Sequence, residues 1–249
     1  MVGRASAVLS ARAGVGIALL AVLLVYYWTH RYWWDASTWW QVAWIALVLI
    51  PAVLALVLIA LPLRDARGLL PVGASFVLLA VVFTVAGLAT PANFARLAAT
   101  ALLGWWFLGY FEEVSWVVLV ACIIPWVDAY SVWRGPTKEI VNHHEHVFDV
   151  LSFAFPVPGE NNAANLGVPD LLFFSLFLAA AARFGLRVYW TWLCLVAALG
   201  GTIALTVWLN LNGLPALPGI AIGFLVPNAD LLYRQLRATR KPRSDPAGV

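Results

Sequence analysis

Long apolar runs broken by short polar connectors dominate this chain, and their lengths can be measured against a bilayer. A hydrocarbon core of about 30 Å takes roughly 20 helical residues at about 1.5 Å rise each. Eight segments meet that length, at residues 13–29, 40–62, 69–90, 94–111, 114–132, 166–182, 188–208 and 214–233. The pattern predicts an all-α fold, a polytopic membrane helix bundle of about eight transmembrane helices. Between the fifth and sixth segments lies one long polar stretch, an outer loop at 133–165. The chain thus divides into N-terminal transmembrane helices (1–112), a transmembrane region with the candidate chemistry (113–235) and a basic tail (236–249). No small-residue cleavage pattern follows the first apolar run, so it is expected to persist as an uncleaved first span.

Composition sharpens this picture. With 63% hydrophobic and 11% charged residues, the chain lacks the material for a water-facing surface. The net charge of +3 gathers in the "RQLRATRKPR" tail, which suits a cytoplasmic tail beside anionic lipid rather than a nucleic-acid partner. Cys122 and Cys194 both lie in apolar runs and offer neither a disulfide framework nor a zinc site.

Charge also gives direction. Under the eight-segment reading, Arg4, Arg12, Arg64, Arg67, Arg183, Arg187, Arg234, Arg237, Arg240, Lys241 and Arg243 fall on one side, and Arg31, Arg96, Arg134 and Lys138 on the other. The positive-inside rule then places both termini in the cytoplasm and the loop 133–165 outside. The run "YYWTHRYWWDASTWW" reads as an aromatic belt at the outer interface.

An ionisable group within a span is costly, so acids in apolar surroundings are the first functional candidates. Asp128 lies near the outer end of the fifth segment and Asp170 near the outer start of the sixth. Each is expected roughly 6 Å below the rim, at about 1.5 Å per residue. Two carboxylates at matched depth can share one proton, so that one activates a water while the other donates to a carbonyl oxygen. The same pair could instead relay ions in a transporter. Asp230 is expected to pair with Arg234, one helical turn later. In the outer loop, His143, His146 and Asp149 invite a metal reading, but their spacing fits a solvated loop better, and no metal or cofactor is expected.

The stretches "VDAYSV", "LGVPD" and "LPALPGI" follow one another in order. Together they resemble the motifs of the presenilin and signal peptide peptidase family of intramembrane aspartyl proteases, over roughly residues 113–235. The resemblance implies a nine-helix membrane fold with Asp128 and Asp170 as the catalytic pair. It implies a substrate-facing role for Gly167 and substrate positioning by Pro215, Ala216 and Leu217. The substrates it implies are transmembrane or signal-peptide-like polypeptides within the lipid bilayer, and the preference for arginine over lysine, thirteen to two, is compatible with a high-GC bacterium and so with a bacterial plasma membrane. Two positions depart from the family pattern. Val127 stands where the family has tyrosine, with Tyr130 a candidate to supply a phenol nearby, and Pro169 stands where the family has a second glycine. These departures make a catalytically silent, substrate-binding relative the alternative to an active protease.

Overall fold

The structure, a computed structural model, describes residues 2–134, 152–211 and 213–239. Each of the eight apolar segments holds a helix. Val2–Thr29 forms α1, followed by a short 3-10 turn at His30–Tyr32. Thr38–Trp44 (α2) passes through a wider π-type turn at Ile45–Leu49 into Ile50–Ala60 (α3). Pro51 explains the widening, because it cannot donate to the carbonyl four residues before it. A 3-10 turn at Leu61–Asp65 leads to Leu69–Val85 (α4), Ala89–Leu108 (α5) and Val114–Arg134 (α6). Val168–Arg183 (α7), Val188–Trp208 (α8) and Leu217–Thr239 (α9) complete the bundle.

Within the stretch expected to be a polar outer loop, the chain forms a β-hairpin, so the fold is mostly rather than wholly helical. Ser152–Pro156 (β1) pairs antiparallel with Ala163–Gly167 (β2), in the register Ser152 to Gly167 through Pro156 to Ala163. Phe153 and Phe155 share one face of β1, as alternate strand residues must, and both are fully buried. The helix of the sixth apolar segment, α7, accordingly begins at Val168, where the strand ends.

The hairpin is clamped along the outer edge of β1 by side chains from the N-terminal helices. The Asn93 amide behaves like a neighbouring strand: its Nδ2 donates to the Ala154 carbonyl and its Oδ1 accepts from the Ala154 N–H, both at 2.8 Å. Tyr27 donates to the same carbonyl at 2.8 Å, Tyr26 to the Pro156 carbonyl at 2.7 Å, and Arg96 to the Ser152 carbonyl at 2.9 Å. At the hairpin tip the Gly159 N–H donates to the His30 carbonyl at 2.8 Å, and Gln41 donates to the Pro158 carbonyl and the Glu160 carboxylate. The expected aromatic belt is therefore divided. Tyr26 and Tyr27 are buried hairpin anchors, whereas Trp28, Trp34 and Trp39 face outward.

The core centres on α7, which packs against α5, α6, α8 and α9. Leu171, Phe174 and the run from Ser175 to Ala181 are all buried. Gly104 of α5 permits the closest of these approaches, since a Cβ there would lie 2.8 Å from the Leu172 carbonyl oxygen. Small residues at helix crossings serve this purpose where helices pack without a hydrophobic drive between them.

Four helical stretches are long and apolar enough to cross a membrane: Ser10–Tyr32, Thr38–Asp65, Val114–Val132 and Val188–Trp208. The outer surface has the matching character, with Ile17, Leu47, Leu78, Val85 and Trp126 among many exposed apolar side chains. A water-soluble monomer keeps contiguous apolar patches small. This is the surface of a membrane protein.

Candidate active site

Asp170 owes its position to the local sequence. Gly167 ends β2 and serves as the N-cap of α7, Val168 and Pro169 fill the first two helical positions, and Asp170 occupies the third. Proline is tolerated there because the first N–H groups of a helix have no intrahelical acceptor, and its fixed φ already suits a helix. From the third position the Asp170 carboxylate reaches back, and its Oδ2 accepts from the Gly167 N–H at 3.1 Å. Glycine at 167 is a matter of space, since its φ of −61° is open to any residue. A Cβ at that position would lie 3.1 Å from Asp170 Oδ2 and press directly on the carboxylate.

Asp128 is held from outside its own helix. It sits on α6, and its Oδ2 accepts from the Leu217 N–H at 3.0 Å, with the Ala216 N–H also directed at the carboxylate. Those amides belong to the start of α9, where Pro215 and Ala216 precede the helix without regular structure and Pro218 follows Leu217. Uncommitted N–H groups at a helix start favour an anion. Ala216 and Leu217 are themselves buried, which fixes the direction of these donors.

The two half-buried carboxylates are close enough for the charge on one to be felt by the other. Neither forms a salt bridge among the described residues. Two turns in from the acids, Phe177 of α7 stacks on Phe224 of α9 with ring centroids 4.8 Å apart, closing the floor with apolar rings. The arrangement brings together two carboxylates that interact electrostatically, each oriented by backbone amides.

Other sequence candidates fall elsewhere. Tyr130 lies two residues beyond Asp128, some 200° round the helix at 100° per residue, and its side chain is 66% exposed. Asp230 does not pair with Arg234. It forms a two-point bridge with Arg187, Nη1 to Oδ1 at 2.7 Å and Nη2 to Oδ2 at 2.8 Å. Arg187 immediately precedes α8, and Asn228 draws α9 to the same corner by accepting from the Arg187 N–H and donating to Thr191. Arg187 and Arg234 carry the same planar guanidinium; the packing of this corner presents that of Arg187 to both carboxylate oxygens at once. His143, His146 and Asp149 lie outside the described residues. Among the described residues, no three potential ligands are grouped to hold a metal.

The residues that sequence reasoning passed over are those of the hairpin clamp, Tyr26, Tyr27, Asn93 and Arg96. Their signal was faint: an amide and a cation near the start of a small-residue helix, and a tyrosine pair that resembled an interfacial belt. No family model matches this sequence, and neither a curated protein nor a solved structure does.

Proposed function

We propose that this protein is an intramembrane aspartyl protease that hydrolyses peptide bonds in or near transmembrane segments. The observation that carries the reading is the convergence of Asp128 and Asp170 from separate helices, each oriented by backbone N–H groups and neither paired with a cation among the described residues. The resemblance of the surrounding sequence to presenilin and signal peptide peptidase motifs supports it. In this mechanism one carboxylate takes a proton from water as the water oxygen attacks the scissile carbonyl carbon. The other acid gives its proton to the carbonyl oxygen. Collapse of the tetrahedral gem-diol breaks the C–N bond: the leaving amine takes a proton from the pair, and one of the two hydroxyls returns its proton to the pair as the carboxyl group forms. No metal or cofactor takes part.

The substrate would be a transmembrane or signal-peptide-like polypeptide, unwound locally so that its carbonyl reaches the pair, with Pro215, Ala216 and Leu217 beside it. We place the chain as a multi-pass protein of a bacterial plasma membrane, with eight crossings and both termini cytoplasmic. The eight helical segments, with α2 and α3 as one of them, and the one-sided arginines support that placement.

A second reading rests on the Asp170 contact itself. A third-position carboxylate that reaches back to the N-cap N–H is an ordinary helix-capping interaction. With Pro169 at the motif's second glycine, Asp170 would then be structural, and the protein a silent, substrate-binding relative. An ion-coupled transporter would show flux without cleavage. Reconstituted wild type, Asp128→Ala, Asp170→Ala and Asp230→Ala, offered single-span reporter helices and analysed for new termini by mass spectrometry, separate these readings. The protease reading expects cleavage by wild type and Asp230→Ala alone, and retained cleavage in either of the other variants overturns it.

A further inference from the structure

At the far end of α7 from Asp170, a cavity of about 630 Å³ opens between the turn before α4, the end of α5 and the end of α7. Asp170 and Arg183 are separated by 13 residues of one helix, so the cavity lies about 20 Å from the carboxylate pair at about 1.5 Å per residue. Its chemistry is of the opposite sign. Arg64 and Arg183 both line it. Arg183 spends Nη1 on the Leu108 carbonyl at 2.7 Å, and Leu108 lines the cavity beside it.

Three further features point to a missing acceptor. Trp105 lines the cavity and is 3% exposed, yet its indole N–H meets no acceptor among the described residues. The Nε of Arg64 is likewise buried and unpartnered. Buried donors are rarely left without a partner, because an unmade bond forfeits their solvation. Finally, α4 starts at this cavity with Gly68 as its N-cap and no side-chain cap, so its first amides are unclaimed by any side chain. Indole N–H, guanidinium and helix-start amide are all donors without acceptor capacity. The carboxylate present, Asp65, bridges Arg64 Nη2 at 3.2 Å, but its side chain is 70% exposed and free to turn outward.

We propose that this cavity is a binding site for a phosphate group, with Arg64, Arg183 and the Trp105 indole as donors. The exposed apolar Leu70 at its margin, able to meet an acyl chain, makes an anionic phospholipid headgroup the favoured source. The arginines of this end are those that the positive-inside rule assigns to the cytoplasmic face, where anionic headgroups concentrate. The inference does not depend on proteolysis.

The test uses the full-length protein in detergent, with phosphatidylglycerol or phosphatidylcholine retention counted by native mass spectrometry and inorganic phosphate titrated in parallel by thermal shift. Wild type should retain phosphatidylglycerol over phosphatidylcholine. Arg64→Gln and Trp105→Phe should each weaken that retention by about tenfold, the scale of one charge-assisted or buried hydrogen bond. Trp105→Phe keeps a ring in the buried position and removes the N–H, so its loss would not reflect misfolding. Arg31→Gln, in the exposed segment between α1 and α2, should change nothing. Protection by inorganic phosphate that is lost in Arg64→Gln would keep the site and identify free phosphate as its ligand. Equal retention of the two lipids without such protection, or an Arg31→Gln effect as large as that of Arg64→Gln, would overturn the proposal.

Discussion

Two ends of one helix hold a carboxylate in contrasting ways. At its start, α9 offers the amides of Ala216 and Leu217 to Asp128, whose neighbour is a second acid, Asp170. Thirteen residues on, Asp230 of the same helix meets Arg187 in a two-point bridge. Both are aspartates on helices of an apolar chain, but they differ in partner and in setting, Asp128 being half-buried and Asp230 exposed. A guanidinium neutralises a carboxylate and fixes it as a fastening. Backbone amides orient one without removing its charge or supplying a proton, which leaves it chemically available. The lesson is that an acid in an apolar helix is interpreted by what faces it.

The strongest way to break this contrast is to remove each acid in turn. Asp128→Ala and Asp170→Ala should lower cleavage of a reporter helix by at least about 100-fold, as expected for loss of a general acid or base, while Asp230→Ala stays near wild type. Next comes Gly167→Ala, whose Cβ would crowd Asp170 Oδ2. It should cut turnover by about tenfold, the scale of a misplaced reacting group, with almost no change in unfolding temperature, since no special backbone angle is lost. A thermal loss as large as the catalytic one would show that Gly167 serves the fold instead.

Further from the acids, Asn93→Ala removes two hydrogen bonds from the half-buried Ala154 backbone and strands its N–H, while Tyr27 still serves the carbonyl. It should destabilise the protein by about 1 kcal/mol, the lower end of what stranding a buried polar group costs. Faster amide exchange confined first to Ser152–Gly167 would locate the damage, and uniform exchange across the bundle would contradict a local clamp. The smallest effect belongs to the fastening. Arg187→Ala combined with Asp230→Ala should be no worse than either change alone, and the coupling should fade in high salt. A coupling insensitive to salt would make that end more than a surface bridge.

Much of the helical scaffold was legible because length and apolarity are local properties. Pro169 ahead of Asp170 marks a helix start from sequence alone, and the helix begins one residue before that proline. The hairpin was not legible. Its alternation, Phe153 and Phe155, spans only a few residues between Ser152 and the turn prolines, and the groups that satisfy its edge lie 56 to 130 positions earlier. Asp230 was misassigned for the same reason. Arg234 is its nearest cation along the chain, whereas Arg187, 43 residues away, reaches it only after α8 and α9 pack. The convergence of Asp128 and Asp170 was inferred from matched depth, and no single-helix pattern could have shown that the amides of Ala216 and Leu217 meet Asp128.

The clamp on β1 also has a direction in time. Every side chain that grips the hairpin, from Tyr26 to Arg96, is synthesised before it. In a chain made from its N-terminus, the strand emerges to find its partners already translated, so its exposed edge, a hazard for stray pairing, need not wait for later helices. The acids follow the opposite schedule. Asp128 has no amides to receive it until Leu217 is made, so the site waits for a further 89 residues of chain.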